Sequence, residues 1–117
     1  MKWVDTNIFI HYFTDGDPLK TAASLALFQR VRDRLEVLML SEAVVAEIVY
    51  VLSSRGHYNL SHADIVARLN PVLRLPGIKL PHKRICLRAL DIYASSARLD
   101  FEDALGLAHM ERVRSRL

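Results

Sequence analysis

The chain is poor in the residues that build several common functional devices. Among its 117 residues there is one cysteine, which rules out an internal disulfide framework and fits a reducing compartment. That residue, Cys86, lies between Ile85 and Leu87 and reads as a small core side chain rather than a nucleophile. The four glycines are scattered. No Gly-rich phosphate loop forms, which argues against P-loop nucleotide hydrolysis. A serine nucleophile elbow is missing too. The five histidines have no metal-ligand spacing, which argues against zinc. The four tyrosines make no single-strand stacking pattern. No apolar run approaches the ~18 residues of a membrane span. The amino terminus lacks a basic region, an apolar run and a small-residue cleavage site in series. A cytoplasmic protein without membrane contact is expected.

What remains is an ordinary globular balance, about half hydrophobic and a quarter charged, in one domain over residues 1–117. The net charge of +3 is compatible with a nucleic-acid partner. Arg30, Arg32, Arg34, Lys79, Lys83, Arg84, Arg88, Arg112, Arg114 and Arg116 supply it. They read mostly as solvated helix faces, some placed to touch phosphates along an RNA path.

The segments alternate between strand and helix signals. Lys2 to Ile8 reads as a first strand, with Trp3 in the core and Thr6 and Asn7 capping a short helix through Phe13. Pro18 opens a helix to Arg34, with Ala22, Leu25, Phe28 and Val31 at helical spacing. Val37 to Leu40 is a short apolar strand. Ser41 caps a helix from Glu42 to Arg55, which Gly56 ends. A further helix runs from Leu60 to Leu75, and a strand from Ile78 to Leu80 follows Pro76 and Gly77. Pro81 and His82 open a helix to Arg98, and Asp100 caps a last helix from Phe101 onward. This order predicts a three-layer α/β domain, a short parallel sheet with helices on its faces. Three short strands are few for so many helices. The sequence ends in a basic stretch, Glu111 to Leu117, with no further strand signal, so a C-terminally truncated domain is expected.

Carboxylates stand in three places where structure alone does not ask for them. Asp5 ends the first strand, where open parallel sheets place their ligands. It is either a functional carboxylate or an acceptor of backbone hydrogen bonds at a helix start. Glu47 lies mid-helix at the edge of an apolar face, and Ala43, Val44, Tyr50 and Val51 at three and four residues offer no ion pair. Asp100 and Asp103 share one face of a helix start, as ligands or as cap and dipole partners. Hard oxygens converging at one sheet edge suit Mg²⁺ or Mn²⁺.

Three segments taken in order carry a resemblance. Val4-Asp5-Thr6-Asn7, then Ser41 through Ile48 with Glu47, then Asp100-Phe101-Glu102-Asp103-Ala104-Leu105 resemble a PIN domain. The subgroup is similar to VapC-type toxins, the ribonuclease halves of toxin–antitoxin pairs. The resemblance implies a PIN-like fold and a metal-dependent endoribonuclease in which acidic residues hold Mg²⁺ or Mn²⁺ and water attacks the RNA phosphate. Asp5, Glu47 and Asp103 fall on the family's acidic positions. Asn7 matches a residue that supports the first aspartate, Thr6 sits beside it, and Asp100 is an additional candidate. A small antitoxin laid along the acidic groove is the implied partner, and a homodimer the implied assembly. Family members usually continue into a strand ending with a fourth acid, then a last short strand. No residue here takes that fourth role. Three ligands would hold a metal more weakly, and the open edge beside the first strand would favour a dimer or a swapped segment. Two rivals follow. One is a catalytically inactive PIN-fold module that binds a protein partner. The other is a haloacid-dehalogenase-like phosphatase, which would want an aspartate where Asn7 stands.

Overall fold

A computed structural model describes residues 2–116. Its elements are β1 (Lys2–Trp3), α1 (Thr6–Phe13), α2 (Pro18–Arg32), β2 (Leu38–Met39), α3 (Glu42–Ser53), α4 (His62–Leu73), β3 (Ile78–Lys79), α5 (Lys83–Ser95) and α6 (Phe101–Arg114). The strands form one parallel sheet in the order β1-β2-β3, with Lys2 opposite Leu38 and Leu38 opposite Ile78. The fold class is the expected one, α/β with a three-stranded parallel sheet and six helices among the described residues. Leu117, the last residue of the basic stretch, lies outside them.

Local chemistry sets most of the boundaries. Ser41, Ser61 and Asp100 cap α3, α4 and α6 by accepting first-turn amides, at Val44, Asp64 and Asp103 respectively. Asp17 does the same for α2, and Pro18 holds its first position. The first strand is shorter than the sequence suggests. Asp5, not Thr6 or Asn7, caps α1, because its side chain accepts the Asn7 amide and turns Thr6 into the first helical residue. α3 closes at Ser53, two residues early, with Ser54 as its C-cap. α5 starts at Lys83, because His82 takes a left-handed conformation (φ 56°) that cannot continue a helix, and it stops at Ser95.

Two core expectations need correction. Trp3 is 68% exposed. It lies on β1, the sheet edge, which among the described residues pairs only with β2 and has no strand on its other side. On α2, Phe28 and Val31 are buried but Leu25 is half exposed. Positions three apart drift around a 3.6-residue helix, so Ala22 and Val31 point to opposite sides. The core collects Phe9 and Ile10 from α1, Val45, Ile48 and Leu52 from α3, Ile65 and Leu69 from α4, Cys86 and Leu90 from α5, and Leu38 and Ile78 from the sheet. Phe9 meets Phe28 edge-on at 5.1 Å, which locks α1 to α2. α5 and α6 pack as an extensive antiparallel pair, and α3 touches both α1 and α6. That last arrangement brings the acid-bearing elements into one neighbourhood.

Candidate acidic site

Asp5 stands just past β1, at the carboxyl end of the sheet, since Val4 still donates its amide to Met39 O at 3.3 Å. It is exposed, and its Oδ1 accepts the Asn7 amide at 3.0 Å. The helix-start acceptor and the functional carboxylate are therefore compatible: one oxygen caps α1, and among the described residues Oδ2 accepts nothing. Thr6 is 6% exposed, and its hydroxyl donates to Glu47 Oε2 at 2.8 Å, across 41 residues of sequence. This bond ties the start of α1 to the outer face of α3 and holds one Glu47 oxygen in place. The sequence placed Thr6 merely beside a supporting Asn7. In the fold Asn7 donates its backbone amide to Asp5, and the Thr6 hydroxyl donates to Glu47.

The third acidic element is α6. Asp100 Oδ1 accepts the Asp103 amide at 2.8 Å, so Asp100 is the helix cap. Asp103 is exposed in the first turn with its carboxylate uncommitted among the described residues. The loop that delivers Asp100 is anchored by His62, whose Nε2–H donates to Leu99 O at 2.8 Å, a carbonyl that can only accept. The same ring stacks on Tyr93 at 3.7 Å. Tyr93 in turn lies edge-on to Phe101. A groove of about 280 Å³ opens here between α3, α5 and α6, lined by Tyr50, Ser53, Tyr93, Asp100, Phe101 and Glu102. Burial pushes the Tyr93 hydroxyl up from its usual value, against a lowering bond to Ser53, and the nearby Asp100 charge raises it further. Tyr93 and His62 escaped the sequence reading because only the helix crossing brings them to Asp100.

The donor type of Asp5, Glu47 and Asp103 fits a hard divalent cation, with carboxylate oxygens left over after capping and orientation. Their placement does not complete a cage. Among the described residues, no three His, Cys, Asp or Glu side chains stand together in a group that could hold a metal ion. His109, with no role in the sequence reading, pairs instead with Glu42 at 2.8 Å. Cys86 is fully buried, and burial followed by the Glu42 charge pushes its thiol up to about 12, so it is no nucleophile.

The structure is an α/β domain with a short parallel sheet, an exposed aspartate just past its first strand, Glu47 held by Thr6 on α3 and an exposed Asp103 on α6. The PIN domain family model matches residues 2–117, and the chain belongs to that family. PIN domains are generally nucleases and typically use divalent metal ions. Comparison with curated proteins returns no match. No helix among the described residues is long and apolar enough to cross a membrane.

Proposed function

We propose that this chain is a Mg²⁺- or Mn²⁺-dependent endoribonuclease and the toxin half of a type II toxin–antitoxin pair, of the VapC type. The observation that carries the reading is the Thr6–Glu47 hydrogen bond beside the Asp5 cap. It spends a buried hydroxyl on orienting an exposed carboxylate, which packing alone does not require. Asp5, Glu47 and Asp103 would hold the ion, with Asp100 and Asn7 fixing the local backbone. When bound, such an ion supplies charge neutralisation at the scissile phosphate and activates the attacking water. Thr6 holds Glu47 by its hydroxyl, and His62 anchors the loop that brings Asp100 to the groove, where Asp100 caps the helix turn that carries Asp103. The antitoxin would lay a segment along the groove between α3 and α6, and the chain would act as a homodimer.

Asp5→Asn keeps the cap, because an amide oxygen still accepts the Asn7 amide, but removes the charge. The expected result is loss of RNA cleavage with an unchanged circular dichroism spectrum and weakened Mn²⁺ binding by calorimetry. Cleavage that persists in excess chelator sinks the reading. A second reading, an inactive module that binds a protein partner, is favoured by one observation, the lack of a gathered acid trio among the described residues. Mn²⁺ titration separates the two, since an inactive module does not require the ion.

A further inference from the structure

A second charged site lies at the far end of α6. There α5 begins and α6 finishes, and a cavity of about 730 Å³ opens between them. Lys83, Arg84, Arg88, Arg112 and Arg116 line it, against one carboxylate, Glu111. That is a local balance of +4 in a chain whose total is +3. The positive charge is gathered here rather than spread over the surface.

Three of these cations are engaged. Arg88 grips Glu111 with two bonds, of 2.9 and 3.0 Å. Lys83 Nζ donates to Leu75 O at 3.1 Å. Arg112 Nη1 donates to His82 Nδ1 at 2.9 Å. Arginine has no acceptor, so His82 Nδ1 takes the accepting role in this bond. Arg84 and Arg116 have no ion-pair partner among the described residues. Like charges crowded around a concave surface repel, and an anion relieves that cost. Arg84 and Arg88 are four apart on α5 and share one helical face, while Arg112 sits in the last turn of α6 and Arg116 just past its C-cap, and all four line the same cavity. The guanidinium groups of Arg84 and Arg116, left over in this cationic cavity, suit phosphate oxygens, which they can grip by paired N–H bonds.

We propose that this cavity is a subsite for the phosphodiester backbone of the RNA substrate, distinct from the acidic edge; it rests on the nuclease reading above. Asp103 and Arg112 are nine residues apart on α6, about 14 Å along its axis. At ~3.4 Å per stacked nucleotide, about four nucleotides bridge the two sites.

The test is fluorescence anisotropy with a labelled single-stranded RNA of about twelve nucleotides, in chelator so that cleavage is silent. Arg84→Gln with Arg116→Gln removes the two unpaired cations. Each lost phosphate contact lowers the slope of log K against log salt by about 0.7, so the pair lowers it by about 1.4, and affinity falls about fifteenfold at 0.15 M salt. Lys20→Gln with Arg55→Gln removes the same charge away from the cavity and leaves the slope unchanged. If wild type cleaves RNA while the first pair binds as tightly as wild type, the subsite is wrong and the nuclease reading stands. If wild type neither binds nor cleaves RNA, both fall. If poly-L-glutamate displaces the RNA at equal charge concentration, the cavity takes an acidic polypeptide and the RNA assignment is overturned.

Discussion

Thr6→Val isolates the bond that joins two of the acid-bearing elements. Valine keeps nearly the same shape, so the buried niche at the start of α1 stays filled and only the hydroxyl is lost. Net hydrogen bonds contribute about 1 kcal/mol, and about 1.5–3 kcal/mol when one partner is charged. Glu47 is exposed, so water takes over part of the lost contact, and about 0.5–1.5 kcal/mol is the expected loss. For a domain of this size that lowers the melting temperature by about 3–6 °C. The larger effect falls on chemistry. A carboxylate free to rotate off the acidic edge should slow cleavage about tenfold, equivalent to about 1.4 kcal/mol of barrier. Thr6→Ser keeps the hydroxyl and should recover most of the rate. The decisive assay is a double-mutant cycle with Glu47→Ala, read by both thermal unfolding and single-turnover cleavage. Strict additivity, with Thr6→Val costing the same whether or not Glu47 is present, would refute the orienting role.

Two further outcomes are expected. A Cβ on Gly77 would lie 2.9 Å from Val31 Cγ1 and 3.0 Å from Glu36 O, so Gly77→Ala should destabilise by about 1–3 kcal/mol, whereas Gly106, inside α6 with open space around it, should gain about 0.5–1 kcal/mol on the same change; urea melts of the two variants should move in opposite directions. The Cys86 thiol, buried and held protonated to about pH 12, should ignore a disulfide reagent at pH 8 in the native protein and react at once in denaturant, and rapid native labelling would refute its core placement.

The elements were legible because their signals are local. Ser41 and Asp100 cap helices where a polar residue precedes an apolar period, and Gly77 turns the chain into β3. Glu47 stood out as a carboxylate with no ion-pair partner at helical spacing, and Asp5 and Asp103 by their places at a strand end and a helix start, within the stretch that the family model matches. What escaped was every feature made by distance. The Thr6 hydroxyl finds Glu47 only because α1 packs on α3, and His62 reaches Leu99 only because α4 packs on α5. Trp3 was misplaced for the converse reason: an apolar residue in a strand signals a core, but the exposure depends on which strand forms the edge. The basic cavity needed α5 and α6 to run antiparallel, which no periodicity reveals.

The sheet register carries a consequence for how the chain folds. Lys2, Leu38 and Ile78 stand side by side, so each pairing closes a loop of nearly equal length, 36 residues in one case and 40 in the other. Closure entropy grows only with the logarithm of loop length, so the two closures cost almost the same and neither has a head start. The α5–α6 pair is local in sequence and forms without waiting for either. Leu38 belongs to both ladders, and its burial is the one event that neither pairing can do without. In kinetic terms the two-residue strand β2 is the gate through which the sheet assembles, and the pairing of β1 with β2 sets the time before Thr6 first meets Glu47.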